Sequence, residues 1–252
     1  MGENITYDQD TKEQGKSGVM EPALAYQYEQ DDGLDNGQNC GLVNVQNRGK
    51  DGAQNENRNK TIADYLALPE ERRVELMEGM FYDMASPTAL HQSISNKLAY
   101  QLQHYISGND GKCMVFAAPM DVQLFGDEKT MLQPDLFVMC NRDQILQTRI
   151  FQAPDFVIEI ASRSNWSRDT VLKLRLYREA GVREYWIVFP EEQKVQVYLF
   201  EKHNGENNIA PIEYTFDDKV PVGIWNGGCE VDFAEIYEEL RFLYDSSAQD
   251  FN

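Results

Sequence analysis

From residue 61 onward the chain alternates between two hydrophobic periods. "SPTALHQSISNKLAYQLQHYISG" spaces Leu90, Ile94, Leu98, Leu102 and Tyr105 or Ile106 by three or four residues, which predicts an amphipathic helix ended by Gly108. "SRDTVLKLRLYREAGV" predicts a second helix, with Ser167 as candidate cap and Gly181 as its end. Short apolar runs at about 112–117, 119–125, 134–140 and 155–161 read as strands. "RRVELMEGMFYDMAS" reads as two strands about a turn at Glu78-Gly79, and "EYWIVFP" and "KVQVYLFEK" as two more around Glu191-Glu192. "TIADYLALPEE" predicts a short helix capped by Thr61 and ended by Pro69, and "DFAEIYEEL" a final helix. The order predicts a mixed α/β (α+β) domain, with a curved central sheet flanked by helices.

The first 60 residues lack this pattern. Stretches such as "NGQNCGLVNVQNRGKDGAQNENRNK" cannot bury much apolar surface, so residues 1–60 are expected to be a disordered acidic leader and 61–252 the folded domain. The leader carries 11 acidic and 6 basic residues, so most of the net charge of −19 belongs to the folded part. That acidity argues against coating nucleic acid by bulk electrostatics, while leaving room for a local basic groove.

No apolar run is long enough to cross a membrane, and "MGENITYDQDTKEQG" lacks the apolar stretch of a secretory signal. The four cysteines, Cys40, Cys113, Cys140 and Cys229, form no C-x-x-C pair. A reduced, cytoplasmic chain without a zinc knuckle is the expectation.

One stretch breaks its own pattern. In "APDFVIEIASRS", Glu159 stands inside the apolar run Phe156-Val157-Ile158 and Ile160. A carboxylate there costs several kcal/mol, on the order of the usual burial penalty, unless it is paired, protonated or metal-bound. "LQPDLFVMC" repeats the oddity, with Asp135 heading an apolar strand. If the two strands are neighbours, Asp135 and Glu159 converge, and a shared divalent cation would relieve their repulsion. Strand alternation puts Asp155 on the same face as Glu159, at the strand start where water can reach it. Lys173, four residues after Asp169 and four before Tyr177, lies on the helix face expected to lean toward the sheet. It could serve such a site, or simply form a buried ion pair with Glu159. Tyr177, Tyr185 and Trp186 read as core.

"MEGMFYDMASPTALHQSISNKL", "QPDLFVM" and "PDFVIEIASRSNWSRDTVLKLRLYREAGVREYWIV" together resemble the Uma-type restriction endonucleases of the PD-(D/E)XK nuclease superfamily. The resemblance spans about residues 61–240. It implies a restriction-endonuclease-like fold and Mg2+- or Mn2+-dependent hydrolysis of DNA phosphodiester bonds. It makes Asp135 and Glu159 the metal ligands and Lys173 the residue stabilising the transition state. Glu75 and His91 match further acidic and histidine positions of the family. The superfamily lysine two residues after the second acid is absent: that position is Ala161. In this family a lysine from the next helix stands in for it, and Lys173 occupies that place. Residues 163–183 hold six basic residues against Asp169 and Glu179, a local +4. Arg163, Arg168, Arg175 and Arg178 within it are candidate phosphate contacts. Cutting both strands would suit a homodimer. The rival expectations are a catalytically weak or inactive binding or regulatory module of the same fold, and an acidic scaffold that recruits a basic partner.

Overall fold

The computed structural model describes residues 59–69, 71–161, 168–200 and 210–247. The leader expected over residues 1–60 therefore lies outside the described residues, except for Asn59 and Lys60.

The centre is a six-stranded mixed sheet. Its strands, from one edge to the other, are β10 (Ile212–Thr215), β9 (Lys194–Leu199), β8 (Glu184–Phe189), β7 (Phe156–Ile160), β5 (Leu136–Met139) and β3 (Met114–Ala117). Only β7 and β8 run parallel; the other neighbours are antiparallel. A parallel pair needs a crossover, and helix α3 (Arg168–Ala180) supplies it. Continuous apolar runs in β5, β7 and β8 follow from burial of both sheet faces.

On one face lie α2 (Ala89–Gly108) and α4 (Phe233–Ser247). Their Leu98, Leu102 and Phe233 pack with Phe156, Ile158 and Trp186. On the other face α3 sets Leu176 and Tyr177 against Val157, Tyr185 and Ile187. Strand alternation assigns Phe156, Ile158 and Ile160 to the first core, and Val157 with Glu159 to the α3 side.

Helix α1 (Ile62–Leu66) starts as expected. The Thr61 side chain accepts from Asp64 N–H, and the Asp64 carboxylate accepts from Thr61 N–H, a capping box. It ends three residues before Pro69. β1 (Val74–Met77) and β2 (Met80–Asp83) form the expected hairpin. Glu78 and Gly79 both have positive φ, 49° and 79°, as a tight two-residue turn requires. The hairpin is anchored by paired backbone bonds between Leu76 and Met131, both 2.8 Å. The strand expected over 119–125 is shorter: β4 (Val122–Gln123) pairs in parallel with β6 (Ile150–Phe151), which the sequence pattern did not distinguish. A last hairpin, β11 (Lys219–Pro221) with β12 (Glu230–Asp232), leads into α4. Ser167, the candidate cap of α3, lies outside the described residues, whereas Gly181 ends the helix with φ 90°.

The expectation of fully reduced cysteines is corrected. Cys113 and Cys140 are joined by a disulfide. The register that pairs Met114 with Met139 brings these two residues opposite each other one step beyond the strand ends. Cys229 is free and buried.

Leu98 is fully buried in the α2 core. Leu98→Ala is expected to lower stability by about 2–5 kcal/mol, read from the urea midpoint.

Candidate active site

Leu136 faces Ile158 in the antiparallel pairing of β5 with β7, so the next pair outward is Asp135 and Glu159. The two carboxylates expected to converge do so because their strands are sheet neighbours. Asp135 Oδ2 accepts from the backbone N–H of Ile160 at 2.8 Å and lies 3.1 Å from His91 Nε2. His91 is delivered by the first turn of α2, whose N-cap Thr88 accepts from the His91 N–H.

Glu159 is held from α3. Its Oε1 accepts from Lys173 Nζ at 2.9 Å and from the Tyr177 hydroxyl at 2.6 Å. Lys173 and Tyr177 are four residues apart and so share one helix face. Lys173 Nζ also lies 3.0 Å from Glu75 Oε1, which accepts in addition from Gln133 N–H at 3.0 Å. Glu75 sits on β1 and reaches the site because the Leu76–Met131 pairing holds that strand beside residues 131–133. One ammonium thus bridges two carboxylates, with a third close by. Glu75, His91, Asp135, Glu159 and Lys173 line one cavity of about 310 Å³, together with Ala161.

The charges strain against burial. Burial pushes Glu159 up from the usual 4.5 to about 7; Lys173 opposes the rise, and Asp135 and Glu75 add to it. For Lys173, burial works against the ammonium, but Glu159, Glu75 and Asp135 outweigh it and hold its pKa above the ordinary lysine range. Burial likewise opposes protonation of His91, yet the hydrogen bond and charge of Asp135 leave its pKa raised. His91 Nδ1 is buried and has no hydrogen-bond partner among the described residues. Burial, then the charge of Glu159, keeps the Tyr177 hydroxyl protonated well beyond its ordinary range.

The structure therefore brings together Asp135, Glu159, Lys173, Glu75 and His91. The ion pair of Glu159 with Lys173, one of the two readings of that lysine, is present. Tyr177 is core and also a partner of Glu159, a role its i+4 spacing from Lys173 hinted at. The Gln133 N–H bond to Glu75 had no signal in the sequence. Asp155 stands apart, accepting from Cys140 N–H at 2.7 Å and pairing with Arg183 at 3.3 Å. Of the basic candidates, Arg163 lies outside the described residues and Arg168 begins α3. Arg175 is held by Glu78 at 2.7 Å and Glu179 at 3.1 Å, and Arg178 is half-buried.

The donor chemistry suits a hard divalent cation, since the carboxylates offer oxygen only and the hydrogen bonds above engage one oxygen of each. Among the described residues, no group of three or more His, Cys, Asp and Glu side chains forms a ready-made cage.

A central mixed sheet flanked by helices on both faces defines a mixed α+β fold. A solved structure shares it. The crystal structure of a putative nuclease belonging to DUF820, from Anabaena variabilis ATCC 29413, matches with a TM-score of 0.56 and 23% identity, over 71% of this chain and 97% of that one. The chain belongs to the Uma2 family, described as putative restriction endonuclease, whose model matches residues 62–223. No curated protein matches the chain.

Lys173→Met tests the electrostatics. Glu159 in the folded protein keeps its proton up to about pH 7, whereas the unfolded chain releases it near 4.5. Between these values the folded state binds the extra proton, so this group's contribution to stability falls as pH rises. Without Lys173, Glu159 is pushed higher still. The substitution is expected to cost about 3–5 kcal/mol at pH 8 and clearly less at pH 5, measured by urea unfolding at both. An equal loss at both pH values would contradict the arrangement.

Proposed function

We propose that the chain is a metal-dependent endonuclease that hydrolyses DNA phosphodiester bonds at the Asp135–Glu159 site. The observation that carries this is the convergence of Asp135, Glu159, Glu75 and Lys173, from four separate elements, on one cavity. Family membership and fold point the same way.

In this reading Asp135 and Glu159 would hold Mg2+ or Mn2+, which when bound would supply an activated water and polarise the scissile phosphate. The protein's own groups do the rest. Ile160 N–H and His91 fix the orientation of Asp135. Tyr177 does the same for Glu159. Lys173, held at the cavity by Glu75 and Glu159, would neutralise the charge that builds on the phosphate in the transition state. Water adds to phosphorus, the bond to the leaving oxygen breaks, and a proton ends on that oxygen. Ala161 where the superfamily carries lysine is no obstacle, because Lys173 already contacts Glu159 from the next helix.

Mg2+-dependent cleavage of duplex DNA is expected to drop about 100-fold or more in Asp135→Ala and in Glu159→Ala. If both variants cut as well as the parent, the site is wrong. The rate should also climb between pH 6 and 8, because metal binding needs Glu159 ionised and its pKa stands near 7. A rate that falls across that interval would contradict the ligand role.

A further inference from the structure

We propose that Arg73 anchors a backbone phosphate of the bound strand, next to the phosphate at the reacting site. The inference rests on the nuclease reading above. Arg73 immediately precedes β1, and Met84 N–H donates to its carbonyl at 3.0 Å, which extends the hairpin ladder by one pair. Side chains alternate along a strand, so Arg73, Glu75 and Met77 share a face, and all three line the cavity. Two residues of strand separate Arg73 from Glu75 by about 6.6 Å along the backbone. Arg73 is exposed where Glu75 is buried, so of the two it stands on the solvent side of the cavity.

Charge singles this residue out. The cavity's other cations are committed: Lys173 lies between Glu75 and Glu159, and His91 sits on Asp135. The neighbouring Arg72 pairs with Asp83 at 3.3 Å. Arg73 is exposed and, among the described residues, makes no ion pair or side-chain hydrogen bond. A planar, permanently charged fork of donors is the group best matched to phosphate oxygens. The N-terminus of α2 opens on the same cavity through Thr88, His91 and Gln92, and a helix start also favours an anion. In a chain of net charge −19, such a local cation is what lets a polyanion settle over a cluster of carboxylates. The ligand class is a nucleic-acid phosphate, contacted without regard to base sequence.

The test is fluorescence anisotropy of the full chain with a labelled duplex in Ca2+, repeated across a salt series. Arg73→Ala is expected to weaken binding about tenfold and to lower the slope of log affinity against log salt by about 0.9. Arg73→Lys should restore part of the affinity, duplexes of unrelated sequence should show the same loss, and Arg72→Ala should match the parent. Parent-like affinity and salt slope in Arg73→Ala would overturn the assignment while leaving the nuclease reading intact. A parent that neither binds nor cuts DNA would overturn that reading, and this inference with it.

Discussion

One buried ammonium organises this site. Lys173 stands within 3.0 Å of carboxylates from two different elements, and Asp135 lies on the adjoining strand. Without that cation three carboxylates would crowd one cavity, and the cheapest response would be to take up protons. The scaffold supports the cluster from behind. Two apolar cores clamp the sheet, β5 and β7 set the register that opposes Asp135 and Glu159, and the crossover helix turns Lys173 and Tyr177 toward them. The Lys173 ammonium is what offsets this crowding of like charges.

That balance connects the fold to the chemistry. Glu159 titrates near neutrality because burial and its acidic neighbours outweigh the help from Lys173. Both carboxylates are oriented by two partners, Asp135 by a backbone amide and His91, Glu159 by Lys173 and Tyr177. Moving Lys173 off Glu159 and onto a phosphate would leave Glu159 free to bind a cation.

Much of this was legible in the chain. The period-3.6 stripe through Ile94, Leu98, Leu102 and Ile106, and the apolar runs of β5, β7 and β8, report burial directly, and burial is what periodicity encodes. Glu159 stood out because an ionisable group in a two-sided apolar strand needs a partner, and Ala161 pointed to a lysine from elsewhere. Contacts between elements far apart in sequence were not legible. Gln133 reaches Glu75 by a backbone N–H, which leaves no trace in residue type. β4 and β6 are two residues each, too short to show a period. The Cys113–Cys140 bond depends on the β3–β5 register, and spacing alone does not reveal it. In the basic stretch after β7, composition counted charges and not their partners: Arg175 pairs with Glu78 and Glu179.

The claim at the centre is that Asp135 and Glu159 share a divalent cation. A crystal soaked in Mn2+ and measured for anomalous scattering tests it directly. The account predicts one strong peak bonded to both carboxylates, with the Lys173 ammonium drawn away from Glu159. Saturating Mn2+ with no peak at either carboxylate, and Lys173 still on Glu159, would contradict it.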